Sequence, residues 1–341
     1  MTTRVACIGG GQLGRMLGLA GLPLGLSFRF LDPSPDACAR EVGELVVGEY
    51  GDPEALDRLA AGADVVTYEF ENVPVDAARR VDAVPGAAAL EEGQDRLREK
   101  ELFRSLGIDT ARFGTLEETG LPALVKTRRL GYDGKGQRRV DAAEPVGDDE
   151  LAEALVPFDR ELSIVGVRGR DGETRFWPVA ENVHRDGILR VTRAPAANAP
   201  QAQAETICTA LMDELDYVGV LAVELFDVGG RLLANELAPR VHNTAHWTID
   251  GAETSQFENH LRAIVGLPIG ATGARAPCAM VNLIGAAPPL EELLALPGSR
   301  VHLYGKAPRA GRKVGHVTLL DPVEGTVERL TALADEASGA A

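Results

Sequence analysis

Two acidic residues and an amide interrupt an apolar strand pair late in the chain, and they restrict its fold more than any other feature. The pair reads Val223-Glu224-Leu225 and, after a Gly-Gly turn, Ala234-Asn235-Glu236-Leu237-Ala238. A carboxylate in an apolar strand is costly unless a cation or hydrogen-bond donors neutralise it. Antiparallel pairing across an odd-numbered turn would place Glu224 and Glu236 on one face, about 5–8 Å apart. That geometry suits Mg²⁺ bridging nucleotide phosphates, and an exposed hairpin edge with solvated acids is the alternative.

The composition narrows the class of protein. The chain has 341 residues, enough for two or three domains. Its net charge of −16 argues against a nucleic-acid binder, so any anionic ligand needs a local cationic pocket. No long apolar run and no basic segment before an apolar stretch is present, so we expect no membrane span or secretory signal and a cytoplasmic location. The four cysteines form no C-x-x-C pair, which argues against a disulfide framework or a cysteine-ligated zinc site.

The order of strand and helix signals predicts three domains. Strands at 4–8, 27–32 and 64–67 alternate with helices from 12 and 53, which predicts a Rossmann-like parallel sheet domain over residues 1–108. Strands and hairpins around a glycine-rich loop predict a small domain over 109–182. Residues 183–341 combine helices near 202–215 and 256–265 with the acidic hairpin and three terminal strands, which predicts an α+β domain.

The first glycine motif has two interpretations. Gly9-Gly10-Gly11-Gln12-Leu13-Gly14 follows a strand and opens a helix, and Asp32 ends the next strand, as in a dinucleotide-binding fold. On these residues alone, the motif predicts an NAD(P)-dependent oxidoreductase. The same turn binds any phosphate presented to a helix N-terminus. Gln12 adds an amide to the helix start, and the later sequence is rich in hairpins, both of which weaken the dinucleotide interpretation.

The second glycine motif follows an apolar strand that ends at Lys126. It reads Gly131-Tyr132-Asp133-Gly134-Lys135-Gly136-Gln137 and does not fit the Walker pattern. A loop with three glycines beside two lysines is suited to folding over a triphosphate with its backbone N–H groups as donors. A surface hairpin loop is the alternative for this segment taken alone.

Together these features resemble the ATP-grasp enzymes. Within that superfamily the chain is similar to the N5-carboxyaminoimidazole ribonucleotide synthase family in six segments. These segments are residues 10–16, 68–73, 131–137, 182–189, 235–243 and 311–316. The resemblance implies the ATP-grasp architecture, with a Rossmann-like parallel sheet domain, a small ATP-grasp domain and a C-terminal α+β domain.

The resemblance also implies an activity. The family joins bicarbonate to the exocyclic amine of 5-aminoimidazole ribonucleotide at the expense of ATP, giving ADP and phosphate by way of carboxyphosphate. It implies ATP and Mg²⁺, with two ions, as cofactors, and a homodimer as the assembly. Three alternatives stay open: the oxidoreductase, another ATP-grasp carboxylate–amine ligase, and a non-catalytic protein that has kept the fold.

The family's nucleotide contacts fall on residues of all three predicted domains. Glu224 and Glu236 would bind the metal, Lys126 would hold phosphates, and Glu161 would bind the ribose. The full implied set for ATP is Arg96, Lys126, Gly131, Tyr132, Asp133, Gly134, Lys135, Gly136, Gln137, Glu153, Ala154, Leu155, Val156, Glu161, His184, Asn235 and Glu236. Residues 153–156 would meet adenine through their backbone, where Ala154 is smaller than the family pattern.

The second substrate and the chemistry would use groups around the same cleft. The family more often has arginine at Lys135, so a two-point contact there is in doubt. His242 and His246 lack a third zinc ligand, so we expect His242 to contact substrate or bicarbonate. The implied catalytic residues are Lys126, Arg240, His242 and Asn243, and those for 5-aminoimidazole ribonucleotide are Gln12, Leu13, Glu69, Tyr132, Asp133, Lys135, Arg240, Lys306, Arg312 and Lys313.

Overall fold

The computed structural model describes residues 2–131 and 134–339, and in this range the chain forms three sheets. The N-terminal strands are β1 (Arg4–Ile8), β2 (Ser27–Asp32), β3 (Glu44–Val47) and β4 (Val65–Tyr68). They are parallel, in the order β3-β2-β1-β4. The helices of this region are α1 (Gln12–Gly21), α2 (Pro53–Ala60), α3 (Val75–Arg80), α4 (Ala87–Gly93) and α5 (Arg96–Ser105). The predicted parallel-sheet domain is confirmed, and Asp52 caps α2 through a bond from the Glu54 N–H.

A small antiparallel sheet follows helix α5. Its elements are β5 (Phe113–Gly114), α6 (Leu116–Thr119), β6 (Ala123–Thr127), β7 (Gln137–Val140) and β8 (Glu150–Ala154). The strand order is β5-β8-β6-β7. Its own core is small, with Val125, Val140 and Ala152 as the buried members. Ion pairs to the rest of the chain, such as Arg128 Nη2 to Asp95 Oδ2 at 2.7 Å, therefore contribute to holding it in place.

The third sheet has nine strands and carries most of the remaining chain. Its strands are β9 (Arg160–Arg168), β10 (Thr174–Phe176), β11 (Ala180–Arg185), β12 (Ile188–Ala194), β13 (Gly219–Val228), β14 (Arg231–Ala238), β15 (Cys278–Ile284), β16 (Ser299–Leu303) and β17 (Lys313–Leu320). The order is β14-β13-β9-β11-β12-β15-β17-β16, with β10 beside β9. The helices are α7 (Gln201–Glu214), α8 (Thr248–Gly251), α9 (Gln256–Val265), α10 (Leu290–Leu294) and α11 (Thr326–Gly339).

The sheets disagree with the predicted domain boundary at residue 182. Strands β9, β10 and β11 were assigned to the small domain, yet β9 and β11 pair with each other and with β13 and β12 of the large sheet. The hairpin-like sequence of 160–182 does not reveal which sheet its strands join, because long-range pairing decides that. We propose a division between residues 154 and 160 in place of 182.

The N-terminal and C-terminal parts share one hydrophobic core. Phe28 and Leu17 belong to the same buried cluster as Leu261 of helix α9. A hydrogen bond of 3.0 Å between Thr67 Oγ1 and His260 Nε2 adds a buried polar link. These two parts therefore form a continuous body, against which the small sheet is the separate element. Among the described residues, no helix is both long enough and apolar enough to cross a membrane.

Gly18 in helix α1 provides a test of this packing. A Cβ added at Gly18 would lie 2.3 Å from Cγ2 of Val42. Alanine normally stabilises a helix relative to glycine by about 0.5–1 kcal/mol, but overpacking a stiff β-branched neighbour costs about 1–3 kcal/mol. We expect Gly18→Ala to lower the free energy of unfolding, measured by urea denaturation. Adding Val42→Ala should recover part of the loss, and a Gly18→Ala protein as stable as the native chain would contradict the close contact.

Candidate functional site

A cleft of about 640 Å³ is bordered by side chains from all three sheets' regions. Most of the residues expected from the sequence line it together. These are Gln12, Leu13, Arg96, Lys126, Gly134, Lys135, Gln137, Glu161, His184, Glu224, Asn235, Glu236, Arg240, His242, Asn243 and Lys313. The lining also includes Phe70, Glu71, Asn72, Leu124, Phe158, Gly187, Leu189 and Phe226, to which the sequence analysis assigned no role. Tyr132 and Asp133 lie outside the described residues.

The acidic hairpin lies along one wall of this cleft. Glu224 and Glu236 are direct cross-strand partners, so the predicted same-face pairing is confirmed. The reason differs from the prediction: Val228 pairs with Arg231, so the turn has two residues and would place Asn235 opposite Glu224. A β-bulge, with Asn235 as the extra residue, shifts the register by one and brings Glu236 onto the face of Glu224.

The paired acids have the electrostatics of a cation site. Burial and the neighbouring charge of Glu236 raise the pKa of Glu224 to about 7. Asn235 Oδ1 is buried without a hydrogen-bond partner. Two carboxylates and an amide oxygen are hard oxygen donors, which fit Mg²⁺ shared with phosphates. Within residues 2–131 and 134–339, no group of three or more His, Cys, Asp or Glu side chains is placed to hold a metal.

Two buried lysines meet one carboxylate beside the hairpin. Lys126 Nζ lies 2.8 Å from Glu153 Oε2, and Lys100 Nζ lies 3.6 Å from the same oxygen. Burial alone would raise the pKa of Glu153, but the two ammonium groups lower it to about 2. The side chain of Glu153 binds these lysines, and the expected contact of its backbone with adenine stays a prediction. Lys100 was missed, although its i, i+4 spacing from Arg96 on helix α5 is a signal for a shared face.

Arg96 connects the hairpin with the glycine-rich loop. Its guanidinium donates to Glu236 Oε2 at 3.3 Å and to the Gly131 carbonyl at 3.4 Å. Gly134 has a φ of +74°, and a Cβ there would lie 2.7 Å from the Asp186 carbonyl oxygen. The loop therefore approaches the β11–β12 turn closely, and glycine at 134 permits both the backbone conformation and the approach.

The end of the cleft near residue 158 is apolar and flat. The rings of Phe158 and Phe226 stack with centroids 4.7 Å apart and an interplanar angle of 9°. Leu124 and Leu189 line the same cleft. Phe158 is 42% exposed, a large fraction for a phenylalanine. A planar aromatic ligand would cover this surface.

Glu161 and His184 are in hydrogen-bond contact at the cleft wall. Burial disfavours the charged imidazole, but the hydrogen bond that its Nδ1–H donates to Glu161 and the charge of Glu224 raise the pKa of His184 above its ordinary value. The sequence analysis placed both residues at the nucleotide. The structure shows that they contact each other, and their roles toward a ligand stay predictions.

The first glycine turn is occupied by a side chain of the protein itself. Glu69 accepts hydrogen bonds from the Gly11 and Gly14 N–H groups at 2.5 and 2.6 Å. Its carboxylate thus takes the place where this kind of turn would hold a phosphate. Asp32 accepts from the Gly10 N–H and from the Tyr50 hydroxyl, both at 3.0 Å, so its carboxylate also binds the glycine turn and not a ribose. These contacts argue against dinucleotide binding, and the expected contact of Glu69 with a second substrate stays a prediction.

Of the basic residues expected to bind a phosphate ester, Arg240 and Lys313 line the cleft, and Lys306 and Arg312 are not part of its lining. Lys306 Nζ contacts Gln12 Oε1, and Lys313 lines the cleft. Arg312 donates to the Ala307 carbonyl at 3.3 Å. Arg240 donates from Nε to Glu71 Oε2 at 2.6 Å, so this guanidinium is paired with a carboxylate that also lines the cleft.

Loop residues after strand β14 complete the site. His242 Nε2 lies 3.8 Å from Glu224 Oε1. Burial and the charge of Arg240 lower the pKa of His242 well below its ordinary value, so this imidazole is neutral at pH 7. Asn243 and Asn282 exchange two amide hydrogen bonds, of 3.0 and 2.6 Å.

Family models match along almost the whole chain. Residues 1–94 match the ribonucleotide synthetase preATP-grasp domain, 109–257 the ATP-grasp domain, and 278–329 the phosphoribosylaminoimidazole carboxylase C-terminal domain. The N5-carboxyaminoimidazole ribonucleotide synthase of Pseudomonas aeruginosa is 50% identical over 338 residues, covering 93% of this chain and 94% of the relative. The chain belongs to the N5-carboxyaminoimidazole ribonucleotide synthase family. The resemblance found in the sequence and the predicted ATP-grasp architecture are therefore confirmed.

Solved structures of this family have the same fold. The N5-carboxyaminoimidazole ribonucleotide synthetase of Thermus thermophilus is 53% identical, covers 98% of both chains and superposes with a TM-score of 0.92. The N5-carboxyaminoimidazole synthase of Aspergillus clavatus, in complex with ADP and 5-aminoimidazole ribonucleotide, is 32% identical. It covers 98% of this chain and 99% of that chain, with a TM-score of 0.90. As a member of this ATP-grasp ligase family, the chain is an ATP-using enzyme, and the oxidoreductase alternative is not supported.

The acid pair predicts a pH dependence of stability in the absence of divalent cations and nucleotide. The folded pKa of Glu224, about 7, lies above its usual 4.5. The stabilising effect of its protonation is therefore complete below pH 4.5 and lost as the pH rises through 7. We therefore expect the free energy of unfolding to fall as the pH rises from 5 to 8.

Urea denaturation in EDTA from pH 5 to 8 measures this effect. Glu224→Gln should remove most of the loss, and Glu236→Gln should reduce it, because the Glu236 charge is the second cause of the raised pKa. If the free energies of unfolding of the wild type and of Glu224→Gln change in parallel over this range, the pKa of Glu224 is not raised and the prediction is contradicted.

Proposed function

We propose that the chain carboxylates 5-aminoimidazole ribonucleotide with bicarbonate at the expense of ATP, a step of purine biosynthesis. The observation that carries this proposal is the convergence of Glu224 and Glu236, Lys126 and Arg96, and the Arg240 loop on one cleft. Bicarbonate oxygen attacks the γ-phosphorus of ATP, and ADP leaves. The amine attacks the carbonyl carbon of the resulting carboxyphosphate, or of CO₂ released from it. Phosphate is the leaving group, and the amine loses a proton as the carbamate forms.

The nucleotide would lie between the small and large sheets. The stacked rings of Phe158 and Phe226 provide an apolar surface for adenine, and Glu161 lies in the same cleft for the ribose hydroxyls. Lys126 and Arg96 supply positive charge for the phosphates. Glu224, Glu236 and Asn235 would hold Mg²⁺, proposed as two ions, which neutralises charge on the transferred phosphoryl group.

Bicarbonate and the ribonucleotide would bind between the loop after strand β14 and helix α1. Arg240, His242 and Asn243 lie beside the acid pair, where an anion receives a guanidinium and two polar side chains. Gln12 and Leu13 line the wall formed by helix α1, and Lys306, Arg312 and Lys313 are proposed for the 5′-phosphate. Aligning the two substrates and excluding water would protect the short-lived carboxyphosphate. A homodimer is proposed as the assembly.

The first experiment measures ADP release with Mg²⁺ and bicarbonate, with and without 5-aminoimidazole ribonucleotide. We expect the ribonucleotide to stimulate ADP release in the native chain. Glu236→Ala should lower the rate at least about 100-fold, because it removes a carboxylate that would hold the Mg²⁺ opposite the negative charge of the phosphoryl group in the transition state. Glu181→Gln is the matched control. Glu181 is a strand carboxylate on the other face of the same sheet, and its loss should leave the rate unchanged.

The outcomes separate the alternatives. ADP release that does not depend on the ribonucleotide would indicate another ATP-grasp carboxylate–amine ligase. A folded chain that releases no ADP under any of these conditions would contradict catalysis and favour a non-catalytic protein. An equal effect of Glu236→Ala and Glu181→Gln would contradict the metal role of the hairpin.

The aromatic surface predicts a separate effect on nucleotide affinity. Phe158→Ala should raise the KM for ATP about tenfold, because one stacked ring contributes about 1.5 kcal/mol. The rate at saturating ATP should change by less than about twofold, since the ring is remote from the transferred phosphoryl group. Leu267→Ala, which removes an apolar side chain of similar exposure outside the cleft lining, is the control. A KM unaffected by Phe158→Ala would place adenine elsewhere.

A further inference from the structure

A row of polar side chains crosses the face of the large sheet that carries the acid pair. Glu236 pairs with Glu224, and Glu224 pairs with Ser163 of strand β9. Asn182 of β11 lies diagonally from Ser163, and Thr192 of β12 pairs with Asn182. Ser163, Asn182 and Thr192 are all at most 5% exposed. The proposed metal hairpin is thus continuous with a buried polar row across the centre of the sheet.

The hydrogen bonds of this row close into a ring with the loop residue Thr244. Asn182 Nδ2 donates to Ser163 Oγ at 2.9 Å. Thr244 Oγ1 donates to Asn182 Oδ1 at 2.8 Å, and Thr192 Oγ1 donates to the same oxygen at 2.9 Å. Because the Thr244 proton is used on Asn182, the 2.6 Å contact between Ser163 Oγ and Thr244 Oγ1 is donated by Ser163. Every donor and acceptor direction in the ring is then fixed.

Stability alone does not explain a buried polar ring. Replacing all partners of such a network by apolar groups of the same shape is close to neutral, whereas removing one partner leaves others unsatisfied. The ring has one consequence that an apolar core would lack. It holds Thr244, in the turn that follows His242, against Ser163 of strand β9. Ser163 is the residue that pairs with Glu224.

The position of Thr244 determines which nitrogen of His242 carries a proton. The Thr244 N–H donates to His242 Nδ1 at 3.4 Å, so Nδ1 is an acceptor and the proton is on Nε2. Gln256 binds both backbone groups of His242, with bonds of 2.8 and 2.7 Å. The ring nitrogen that faces Glu224 and the cleft is therefore a donor.

We propose that Ser163, Asn182 and Thr244 form a positioning network that keeps His242 with its proton on Nε2, aimed at the acid pair and the reacting end of the cleft. The inference rests on the proposed function for what His242 meets there. The Nε2–H group would donate to an oxygen of bicarbonate or of the transferred phosphoryl group. The network itself touches no reactant.

Thr244→Val and Thr244→Ser test the network. Valine keeps the shape of threonine and removes the hydroxyl, whereas serine keeps the hydroxyl. The readout is the pair of imidazole nitrogen chemical shifts of His242 in protein labelled with ¹⁵N-histidine, assigned by comparison with His242→Gln. The chain has six histidines, which makes the assignment tractable. We expect Thr244→Val to lose the single Nε2–H form, and Thr244→Ser to retain it.

The kinetic readout accompanies the spectra. In Thr244→Val, kcat should fall about tenfold, the equivalent of one hydrogen bond of about 1.4 kcal/mol, with the KM for ATP within about twofold of native. Thr67→Val is the matched control, because it removes another fully buried threonine hydroxyl, bonded to His260, from a different sheet. It should change neither the His242 spectrum nor kcat.

A folded Thr244→Val protein with the native His242 spectrum and native kcat would overturn the proposal, as would an equal effect of Thr67→Val. If Thr244→Val does not fold, Ser163→Ala removes the donor to Thr244 with a smaller change, and the same expectations apply. The spectra need no turnover. An enzyme that does not carboxylate the ribonucleotide but shows the tautomer change would therefore refute the proposed function and leave the positioning role intact.

Discussion

Two carboxylates that face each other across one strand pair are the constraint on which the rest of the cleft depends. Glu224 and Glu236 repel each other, and burial adds to the cost. Positive charge must therefore come from elements other than the hairpin. Arg96 comes from helix α5 and Lys126 from the small sheet. The site consequently exists only where the hairpin, helix α5 and the small sheet meet, and this explains why it lies between sheets.

Helix α5 supplies hydrogen-bond partners for the backbone around the bulge in strand β14. The extra residue in strand β14 interrupts the backbone ladder, and buried backbone groups need partners. Lys100 Nζ donates to the Asn235 carbonyl at 2.7 Å, and Glu99 Oε1 accepts from the Leu237 N–H at 2.6 Å. Burial raises the pKa of Glu99 to about 8. A helix face of alternating charge thus replaces the missing strand partners and fixes Glu236 beside Glu224.

Local patterns predicted the elements well, and they failed where distant residues decide. The helix over 256–265 and the strand over 4–8 follow from periodicity and flanking caps. The pairing of Glu224 with Glu236 was correct for a reason that parity could not supply, because a bulge has no local signature there. Lys100 was not predicted: its spacing from Arg96 indicates a shared helix face, but only the tertiary fold shows that this face is buried. The sheet membership of 160–182 depends on long-range pairing in the same way.

The glycine turn at the N-terminus shows why a motif does not fix a function. Its conformation and its N–H donors are those of a phosphate-binding turn. Glu69 provides the anion from within the chain, and a Cβ at Gly9 would lie 2.4 Å from its Cγ. The glycines therefore make room for a protein carboxylate. With that carboxylate in place, the N–H donors of the turn are already used. The part of the turn that lines the cleft is Gln12 and Leu13, and the amide of Gln12 is the group that the dinucleotide interpretation could not explain.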